Sequence, residues 1–360
     1  MNILIFNWKD IRNPEAGGAE VFTHENARRW VRWGNKVTLF TSEFPGCKME
    51  EIVNGVRIIR SGGKYSVYWK ARTTYRKLFA NQGFDIIIDE INTRPFFAMD
   101  FAKEKVVALI HQLAREYWFY ETPFPLSWLG YHFLERRWLR KISDISTMTV
   151  SESSRDDLLR LGFNRVVVVK EGLDVKVLKR IPEKENEPTI LFLGRLKRAK
   201  RPLDAIRAFQ MVKTRFPGAK LWVVGDGYLR EELAGLGVEG VEFFGKVTRE
   251  EKVRLLSRAW VLVNPSVREG WGLNVIEANA CGTPAAAYNV PGLRDSIQNG
   301  RTGLLVESGN ILELAKSMEK VLVDRKLRER LGRDALDWAK RFDWDRSAKE
   351  TLAILKKEAE

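Results

Sequence analysis

The sequence predicts an α/β protein with two doubly wound domains, each built on a largely parallel β-sheet. Short runs rich in Val and Ile alternate with stretches of helical spacing, and this alternation restarts after a polar stretch at residues 179–189. Continuous apolar runs are typical of strands buried on both faces of a parallel sheet. A chain of 360 residues is also too long for one ordinary core.

The first half of the chain predicts an N-terminal Rossmann-like domain at residues 1–173. Its predicted strands are NILIFNW, NKVTLFT, VRIIRS, DIIIDE, KVVALIH, STMTVS and RVVVVK. The helical stretches AEVFTHENARRWVRWG and SRDDLLRLG lie between them. Ser154, followed three residues later by Asp157, predicts a capped start for the second of these helices.

A second βαβ series predicts a C-terminal Rossmann-like domain at residues 174–344. Its predicted strands are TILFLG, KLWVVG, VEFFG, WVLVNP, TPAAAY and GLLV. Thr248 and Glu251 fit a capping box ahead of KVRLLSRA. Two such domains in series, joined by a short linker, are expected to face each other across a cleft. Ligands of such sheets bind beyond the carboxyl ends of the strands. A cleft of this kind suits a reaction between two substrates.

Composition limits the partners and the compartment. The net charge of +14 and the pI of about 9.7 favour anionic partners, although a basic surface kept for solubility gives the same numbers. The two cysteines offer neither a disulfide framework nor metal-ligand spacing. With no leader-like start and no run of 18 apolar residues, we expect a cytoplasmic protein, with the inner face of the cell membrane as a further location.

Two features of the first half follow predicted strands. Gly17 and Gly18 open a helix after the first strand, and a helix start attracts anions. An ordinary tight turn explains the same glycines. His111 ends the run KVVALIH, and functional residues gather at the carboxyl ends of strands in this architecture. A partly buried structural histidine is the alternative.

A basic loop, GRLKRAKRP, follows the first strand of the second half. It contains Arg195, Lys197, Arg198, Lys200 and Arg201. The planar fork of Arg195 and the point charge of Lys200 both suit a diphosphate. A solvated basic loop is the alternative interpretation.

The stretch REGWGLNVIEANACGTP predicts a loop that opens a helix. If Glu269 and Glu277 lay on one helix, they would be about 12 Å apart along its axis, which is too far for an acid–base dyad. The pattern instead places Glu269 in the loop and Glu277 in the helix. Leu273, Asn274 and Val275 form the predicted first turn, whose free N–H groups suit a phosphate. Glu277 lies one turn further, where a carboxylate could accept from ribose hydroxyls. A capped, partly solvated helix start is the alternative.

Aromatic and basic residues are interleaved in two stretches. Residues 56–84 contain seven basic residues and no acidic one, and Tyr68, Tyr75 and Phe79 share one helical face. Such a helix could lie on anionic lipid or pack on its own domain. The second stretch follows His111 and could shape an acceptor pocket or a membrane-facing lip. No nucleic-acid-binding motif occurs, so a nucleic-acid partner is not expected.

Together these motifs resemble family-4 retaining glycosyltransferases of the GT-B fold. The resemblance rests on Glu-x7-Glu inside EGWGLNVIEANACGTP, on GRLKRAK, on GGAE after the first strand and on VSESSRDDL. It spans most of the chain. It departs from the family where a frequent N-G-V-D turn is replaced by Glu171-Gly172-Leu173-Asp174, which affects details of the connection between the domains.

The resemblance implies a role for each matching residue. The catalytic group is His111, Glu269, Arg195 and Lys200, with Arg195 and Lys200 as the diphosphate pair, Glu269 on the transferred sugar and His111 beside the anomeric centre. The donor-binding group is Gly17, Gly18, Gly225, Lys246, Val247, Gly272, Leu273, Asn274, Val275 and Glu277. The resemblance further implies that a last helix at residues 345–360 returns to the N-terminal, acceptor-side domain, while the C-terminal domain binds the donor.

The resulting hypothesis is a retaining, metal-independent hexosyltransferase. Its partners are a UDP- or GDP-linked sugar, a glycan or lipid-linked acceptor and an anionic membrane, and it needs no cofactor because the nucleotide sugar is a co-substrate. A GT-B nucleotide-sugar epimerase is the alternative enzyme. A basic module that binds acidic lipid or nucleic acid is the alternative without catalysis, and its binding would depend strongly on salt.

Overall fold

The computed structural model describes all residues from Met1 to Glu360 and divides into two compact units. The first unit comprises Met1–Arg115, Pro125–Gly172 and Asp343–Glu360. The second comprises Glu116–Phe124 and Leu173–Phe342. The short segment Glu116–Phe124 therefore packs with the second unit, although it lies inside the first predicted domain.

The first unit is built on an eight-stranded sheet. Its strands are β1 (Asn2–Phe6), β2 (Lys36–Thr41), β3 (Glu50–Val53), β4 (Val56–Arg60), β5 (Ile86–Ile91), β6 (Val106–Ile110), β7 (Thr147–Thr149) and β8 (Val166–Val168). Their order is β3-β4-β2-β1-β5-β6-β7-β8, and only β3 pairs antiparallel. The sequence analysis did not predict β3, because EEIV lacks the apolar run that identified the other strands.

The second unit is built on a six-stranded, wholly parallel sheet. Its strands are β9 (Thr189–Leu193), β10 (Lys220–Val224), β11 (Val241–Gly245), β12 (Val261–Asn264), β13 (Ala285–Tyr288) and β14 (Gly303–Val306). Their order is β11-β10-β9-β12-β13-β14. The two sheets confirm the predicted α/β class, with two Rossmann-like units.

Helices connect the strands throughout the chain. The α-helices are α1 (Gly18–Arg32), α2 (Val67–Thr74), α3 (Tyr117–Glu121), α4 (Leu126–Leu129), α5 (Glu135–Lys141), α6 (Glu152–Arg160), α7 (Pro202–Arg215), α8 (Arg230–Ala234), α9 (Arg249–Arg258), α10 (Leu273–Ala280), α11 (Leu293–Ser296), α12 (Ile311–Val323), α13 (Arg325–Ala339) and α14 (Trp344–Ala359). π-Helical turns extend α2 through Tyr75–Phe79 and join α4 to α5 through Gly130–Leu134. A 3₁₀ turn at Arg198–Lys200 precedes α7.

The last helix, α14, packs within the first unit. The Trp30 indole nitrogen on α1 donates to the carbonyl oxygen of Ala348 at 2.9 Å, and Arg29 pairs with Asp345. Gly172 lies against Trp344 so closely that a Cβ there would come 2.4 Å from the indole ring. A side chain at this position would therefore displace the start of α14.

One predicted helix cap is corrected and one is confirmed. The N-cap of α6 is Ser151, whose side chain accepts from the Ser154 amide at 3.2 Å. The predicted cap, Ser154, lies inside the helix and donates elsewhere, so the cap falls three residues earlier. Thr248 caps α9 as predicted, because its hydroxyl oxygen accepts from the Glu251 amide at 3.2 Å.

The aromatic face predicted around α2 packs on its own unit. Tyr75 and Phe79 are buried in the core, and Tyr68 packs against the same cluster. Of the two interpretations of this face, packing is therefore the correct one, and these three rings are not available to lipid.

Candidate functional site

The loops that follow β9 and β10 approach each other at glycines. Gly225 has φ +127°, and a Cβ there would lie 2.0 Å from the carbonyl oxygen of Gly194. The Leu196 amide donates to the Asp226 carbonyl oxygen at 2.9 Å. Only a residue without a side chain fits at Gly225, where the two loops touch. This contact holds the basic loop beside the Gly225 turn, which the resemblance places near the nucleotide base.

Lys200 and Glu269 form a largely buried ion pair, with 16% and 13% of their side chains exposed. Lys200 Nζ lies 2.5 Å from Glu269 Oε1, and Ser266 Oγ donates to the same oxygen at 2.8 Å. Burial works against both charges, yet the Glu269 carboxylate raises the pKa of Lys200 and the Lys200 ammonium lowers the pKa of Glu269. Both groups are therefore charged at neutral pH, and two of the four residues predicted as catalytic lie in contact.

Lys197 adds a titratable cation to this cluster. Its pKa is lowered to about 7, first by burial and then by repulsion from Lys200 and Arg195. Arg195 is exposed and close enough to both lysines for its charge to act on them. Three cations against the carboxylate of Glu269 leave an excess of positive charge, which suits a polyanionic ligand.

A left-handed glycine opens α10. Gly272 has φ +94° and turns its carbonyl so that the Val275 amide donates to it at 2.9 Å. The prediction that Val275 offers a free N–H group is therefore wrong, because this tight first turn uses it. The amides of Leu273 and Asn274, which have no acceptor within the chain, remain as donors for an anion.

The side chain of Asn274 fixes the start of α10 to the sheet. Its Nδ2 donates to the carbonyl oxygen of Leu193 at the end of β9, at 2.7 Å. Its Oδ1 accepts from Asn264 Nδ2 at the end of β12, at 3.2 Å. The open amides of α10 are thus held at the carboxyl edge of the sheet, where ligands of such sheets bind.

Glu277 forms a second, partly buried ion pair, with Lys252 of α9. Lys252 Nζ lies 2.5 Å from Glu277 Oε1. Burial raises the pKa of Glu277 and outweighs Lys252, and the nearby carboxylate of Asp174 acts in the same direction. The sequence analysis missed Lys252, whose only signal was its place on a helix with a recognisable cap.

Lys246 and Val247 directly follow β11. Lys246 is exposed, whereas Val247 is half-buried and packs against the core of the second unit. Their predicted place near the nucleotide base stays a prediction.

In the first unit, His111 lies between two buried carboxylates at the end of β6. His111 Nε2 is 3.4 Å from Glu90 Oε1, and His111 Nδ1 is 3.5 Å from Glu171 Oε1. Burial alone would lower the pKa of His111, but Glu171 and Glu90 outweigh it and raise the pKa to about 9. The ring is therefore an imidazolium at neutral pH.

Neighbouring groups fix this cluster. Thr23 Oγ1 donates to Glu90 Oε2 at 2.5 Å, and Ser154 Oγ donates to the His111 carbonyl oxygen at 3.0 Å. The Phe22 ring meets the imidazole edge-on at 5.1 Å. The sequence analysis missed Glu90, which ends a predicted strand just as His111 does, and noted Glu171 only as a departure from a family turn.

Gly17 and Gly18 start α1, but the anion at this helix start belongs to the chain itself. Gly17 is extended, with φ −141°, so the positive φ that its glycine would permit is not used. Its amide donates to Glu20 Oε2 at 2.6 Å. The interpretation as an open anion site is thus weakened at Gly17, where the side chain of Glu20 already caps the helix.

Two family models match nearly adjoining parts of the chain. The model described as Glycosyltransferase Family 4 matches residues 16–177. The model described as Glycosyl transferases group 1 matches residues 176–338. Their junction falls close to the boundary between the two units.

Curated relatives match part of the chain. A glycogen synthase of Mycobacterium tuberculosis is 31% identical over 231 residues, which cover 60% of this chain and 55% of the relative. A phosphatidyl-myo-inositol mannosyltransferase of Mycobacterium leprae is 29% identical over 228 residues, which cover 61% of this chain and 60% of the relative. The chain thus spans little more than half the length of the curated relatives it matches.

Solved structures match the whole fold. A sucrose-phosphate synthase from Thermosynechococcus elongatus superimposes with a TM-score of 0.81 at 20% identity, covering 99% of this chain and 98% of that one. An Anabaena protein solved in complex with UDP and glucose superimposes with a TM-score of 0.75 at 18% identity, covering 99% of this chain and all of that one (100%). At these identities the likeness concerns the fold.

Proposed function

Because the chain belongs to the family-4 glycosyltransferases of the GT-B fold, we propose that it moves a sugar from a nucleoside-diphosphate sugar to an acceptor hydroxyl. The observation that carries this proposal is the largely buried Lys200–Glu269 pair, in the same unit as the open amide end of α10. A charged lysine, further cations and free N–H groups are what a diphosphate requires.

The donor is held by groups of the second unit. The diphosphate accepts from the amides of Leu273 and Asn274 and takes its countercharge from Lys200 and Arg195. Glu277 accepts from the ribose hydroxyls, and its raised pKa suits a carboxyl that exchanges hydrogen bonds with neutral groups. Glu269 accepts from a hydroxyl of the transferred sugar. The base is uracil or guanine.

The transfer retains the anomeric configuration and needs no metal ion. The bond from the anomeric carbon to the diphosphate breaks, and the bond to the acceptor oxygen forms on the same face of the sugar. The acceptor proton passes to an oxygen of the leaving diphosphate. Lys200, Arg195 and the start of α10 stabilise the negative charge that develops on the leaving group.

His111 acts as a charged group rather than as a base. Its imidazolium would oppose positive charge at an anomeric carbon, so its main-chain carbonyl, which already accepts from Ser154, has the appropriate polarity for that role. The two ring nitrogens already face Glu90 and Glu171. A ring N–H group can therefore donate to a sugar hydroxyl only when one of these carboxylates moves away. We therefore assign the imidazolium to balancing the charge of these two carboxylates rather than to donating to the sugar.

The acceptor that we propose is lipid-linked, at an anionic membrane. The helical segment Leu126–Lys141 exposes four apolar side chains in its first half: Leu126, Trp128, Leu129 and Phe133. Its second half exposes four cations: Arg136, Arg137, Arg140 and Lys141. Apolar and basic side chains on one exposed face are typical of helices that lie on anionic lipid. One relative is named a phosphatidyl-myo-inositol mannosyltransferase, which supports this choice.

No helix of the chain has the length and apolar character needed to cross a bilayer. The contact proposed for Leu126–Lys141 is therefore one at the surface of the lipid.

A ligand screen followed by a donor panel tests the transferase proposal. Thermal unfolding is measured with UDP, GDP and ADP, and the expected result is a raised Tm with UDP or GDP. Isotope-labelled donors are then incubated with membrane extracts, where label should move to an extractable product. The absence of any nucleotide effect would contradict the proposal, and an epimer formed from the donor alone would replace the transferase with an epimerase.

Vesicle sedimentation tests the membrane proposal separately. Vesicles with anionic lipid should bind the protein and zwitterionic vesicles should not. The double variant Trp128→Ser/Phe133→Ser should lose this binding, whereas Trp33→Ser, which changes another exposed tryptophan, should keep it. Equal binding by both variants would reject the assigned surface.

A further inference from the structure

The segment Glu116–Phe124, which we call the acidic strap, packs against the basic loop of the second unit. It belongs to that unit, although the residues before and after it in sequence belong to the first. Its core is the short helix α3. The sequence analysis assigned it no role in donor binding.

The carboxylate of Glu121 accepts a hydrogen bond from the 3₁₀ turn Arg198–Lys200, which carries two of the basic residues. Glu121 Oε1 accepts from the Ala199 amide at 2.9 Å, and Glu121 Oε2 accepts from the Tyr228 hydroxyl at 3.2 Å. The Tyr228 oxygen in turn accepts from the Arg198 amide at 2.9 Å. A main-chain amide and a phenol are the same kind of donors that a phosphate oxygen would use.

A second set of contacts lies beside Glu269. Arg268 Nε donates to Glu116 Oε2 at 2.9 Å, and the Tyr117 hydroxyl donates to the Arg268 carbonyl oxygen at 3.2 Å. Lys197 Nζ lies 4.8 Å from the centroid of the Tyr117 ring. The strap therefore contacts both the basic turn that carries Lys200 and Arg268, the neighbour of Glu269.

A third contact ties the strap to the start of α7. Arg201 Nη2 donates to the Tyr120 hydroxyl oxygen at 2.6 Å. Arg201 has φ +47°, a left-handed conformation that a side chain disfavours. The contact helps to hold this conformation at the end of the basic turn.

We propose that the acidic strap competes with the donor diphosphate for the basic turn, so that Glu116 and Glu121 set donor affinity. This inference rests on the proposed donor site. A diphosphate brought to Lys200 and Lys197 meets two carboxylates that already accept from neighbouring donors, and like charges repel. The strap yields when the donor binds, and without a donor its carboxylates offset the charges of Arg268 and Lys197.

Calorimetric titration with UDP, GDP and inorganic pyrophosphate tests this competition. The variants are Glu116→Gln, Glu121→Gln and the double variant, and the control is Glu152→Gln on α6, an exposed carboxylate paired with Arg155. Loss of both carboxylates should tighten binding by about three- to tenfold. The gain should appear with pyrophosphate too, because the strap opposes phosphate rather than the base.

Amide hydrogen exchange distinguishes competition between the strap and the donor from a purely structural role of the strap. Saturating UDP or GDP should speed amide exchange within Glu116–Phe124 of the wild type while it slows exchange in the basic turn. Unchanged or weaker binding by the double variant, or slower strap exchange with ligand, would overturn the inference and leave the donor site intact. A folded wild type that binds no nucleotide would instead overturn the proposed function, and this inference with it.

Discussion

The two glutamates of the Glu-x7-Glu stretch both pair with a lysine, but their pKa values are shifted in opposite directions. Glu269 pairs with Lys200, and Glu277 pairs with Lys252, each at 2.5 Å. Both carboxylates are buried to the same degree, with 13% of each side chain exposed. Yet the pKa of Glu269 is lowered and the pKa of Glu277 is raised.

The surroundings explain this difference. Glu269 has the additional charge of Lys197 and a hydrogen bond from Ser266, whereas Glu277 has the carboxylate of Asp174 nearby. Two ion pairs with the same distance and the same carboxylate exposure can thus differ in how strongly they stabilise the charged form of the carboxylate. The surroundings stabilise the charged form of Glu269, which suits the charge changes of a reaction. They stabilise the charged form of Glu277 less, and its carboxyl suits recognition of hydroxyl groups.

The largest effect is expected where the first pair is broken. Lys200→Gln and Glu269→Gln keep the shape of the side chains but remove a charge, so each should lower kcat by about 100- to 1,000-fold. Steady-state kinetics and circular dichroism measure activity and folding. Lys316→Gln removes the lysine of an exposed pair with Glu313 and should be neutral. Near-normal turnover in Glu269→Gln would contradict its role.

A smaller effect is expected from the second pair. Glu277→Gln should raise the donor KM by about tenfold, because one set of ribose hydrogen bonds is weakened, and change kcat much less. Kinetics with varied donor and saturating acceptor measure both constants. The comparison would fail if Glu277→Gln lowered kcat as strongly as Glu269→Gln.

The buried cluster of the first unit extends the comparison to pH. Because the pKa of His111 is raised to about 9, its ring keeps its charge at neutral pH and loses it as pH rises through that value. The neutral ring would leave the buried carboxylates of Glu90 and Glu171 without their counter-charge and so loosen the cluster that positions the His111 carbonyl. Activity should therefore fall about fourfold between pH 8 and pH 9.5, as one ionisation requires.

Two variants check the origin of this decline. Glu171→Gln removes one carboxylate that raises the pKa, so the decline should move to lower pH, and His111→Asn should show no decline. A profile in the wild type that is flat through pH 9.5 would show that this charge is not needed.

The smallest effect concerns Lys197, whose pKa is lowered to about 7. A bound diphosphate favours the charged amine, so nucleotide binding near pH 7.5 should take up a fraction of one proton. Titration in buffers of different ionisation enthalpy measures this uptake. Lys197→Arg, which is charged throughout, should abolish it, and uptake that persists in this variant would assign it to another group.

Sequence periodicity predicted the fold well, because thirteen of the fourteen strands are apolar runs and buried parallel strands require such runs. The missing strand, β3, is EEIV, an edge hairpin strand that pairing rather than apolar composition stabilises. The family resemblance also selected Lys200 and Glu269, which form an ion pair in the structure although no contact between them was predicted. The partners that tune the site were not predictable, because Lys252, Glu90 and the acidic strap are far away in sequence and lie in place only once the chain is folded.

A crystal structure of the protein with UDP or GDP tests the central claim most directly. The account predicts that phosphate oxygens accept from the amides of Leu273 and Asn274, with Lys200 Nζ within hydrogen-bond distance of the diphosphate. A nucleotide bound with its phosphates away from the start of α10, and Lys200 still held only by Glu269, would contradict the account.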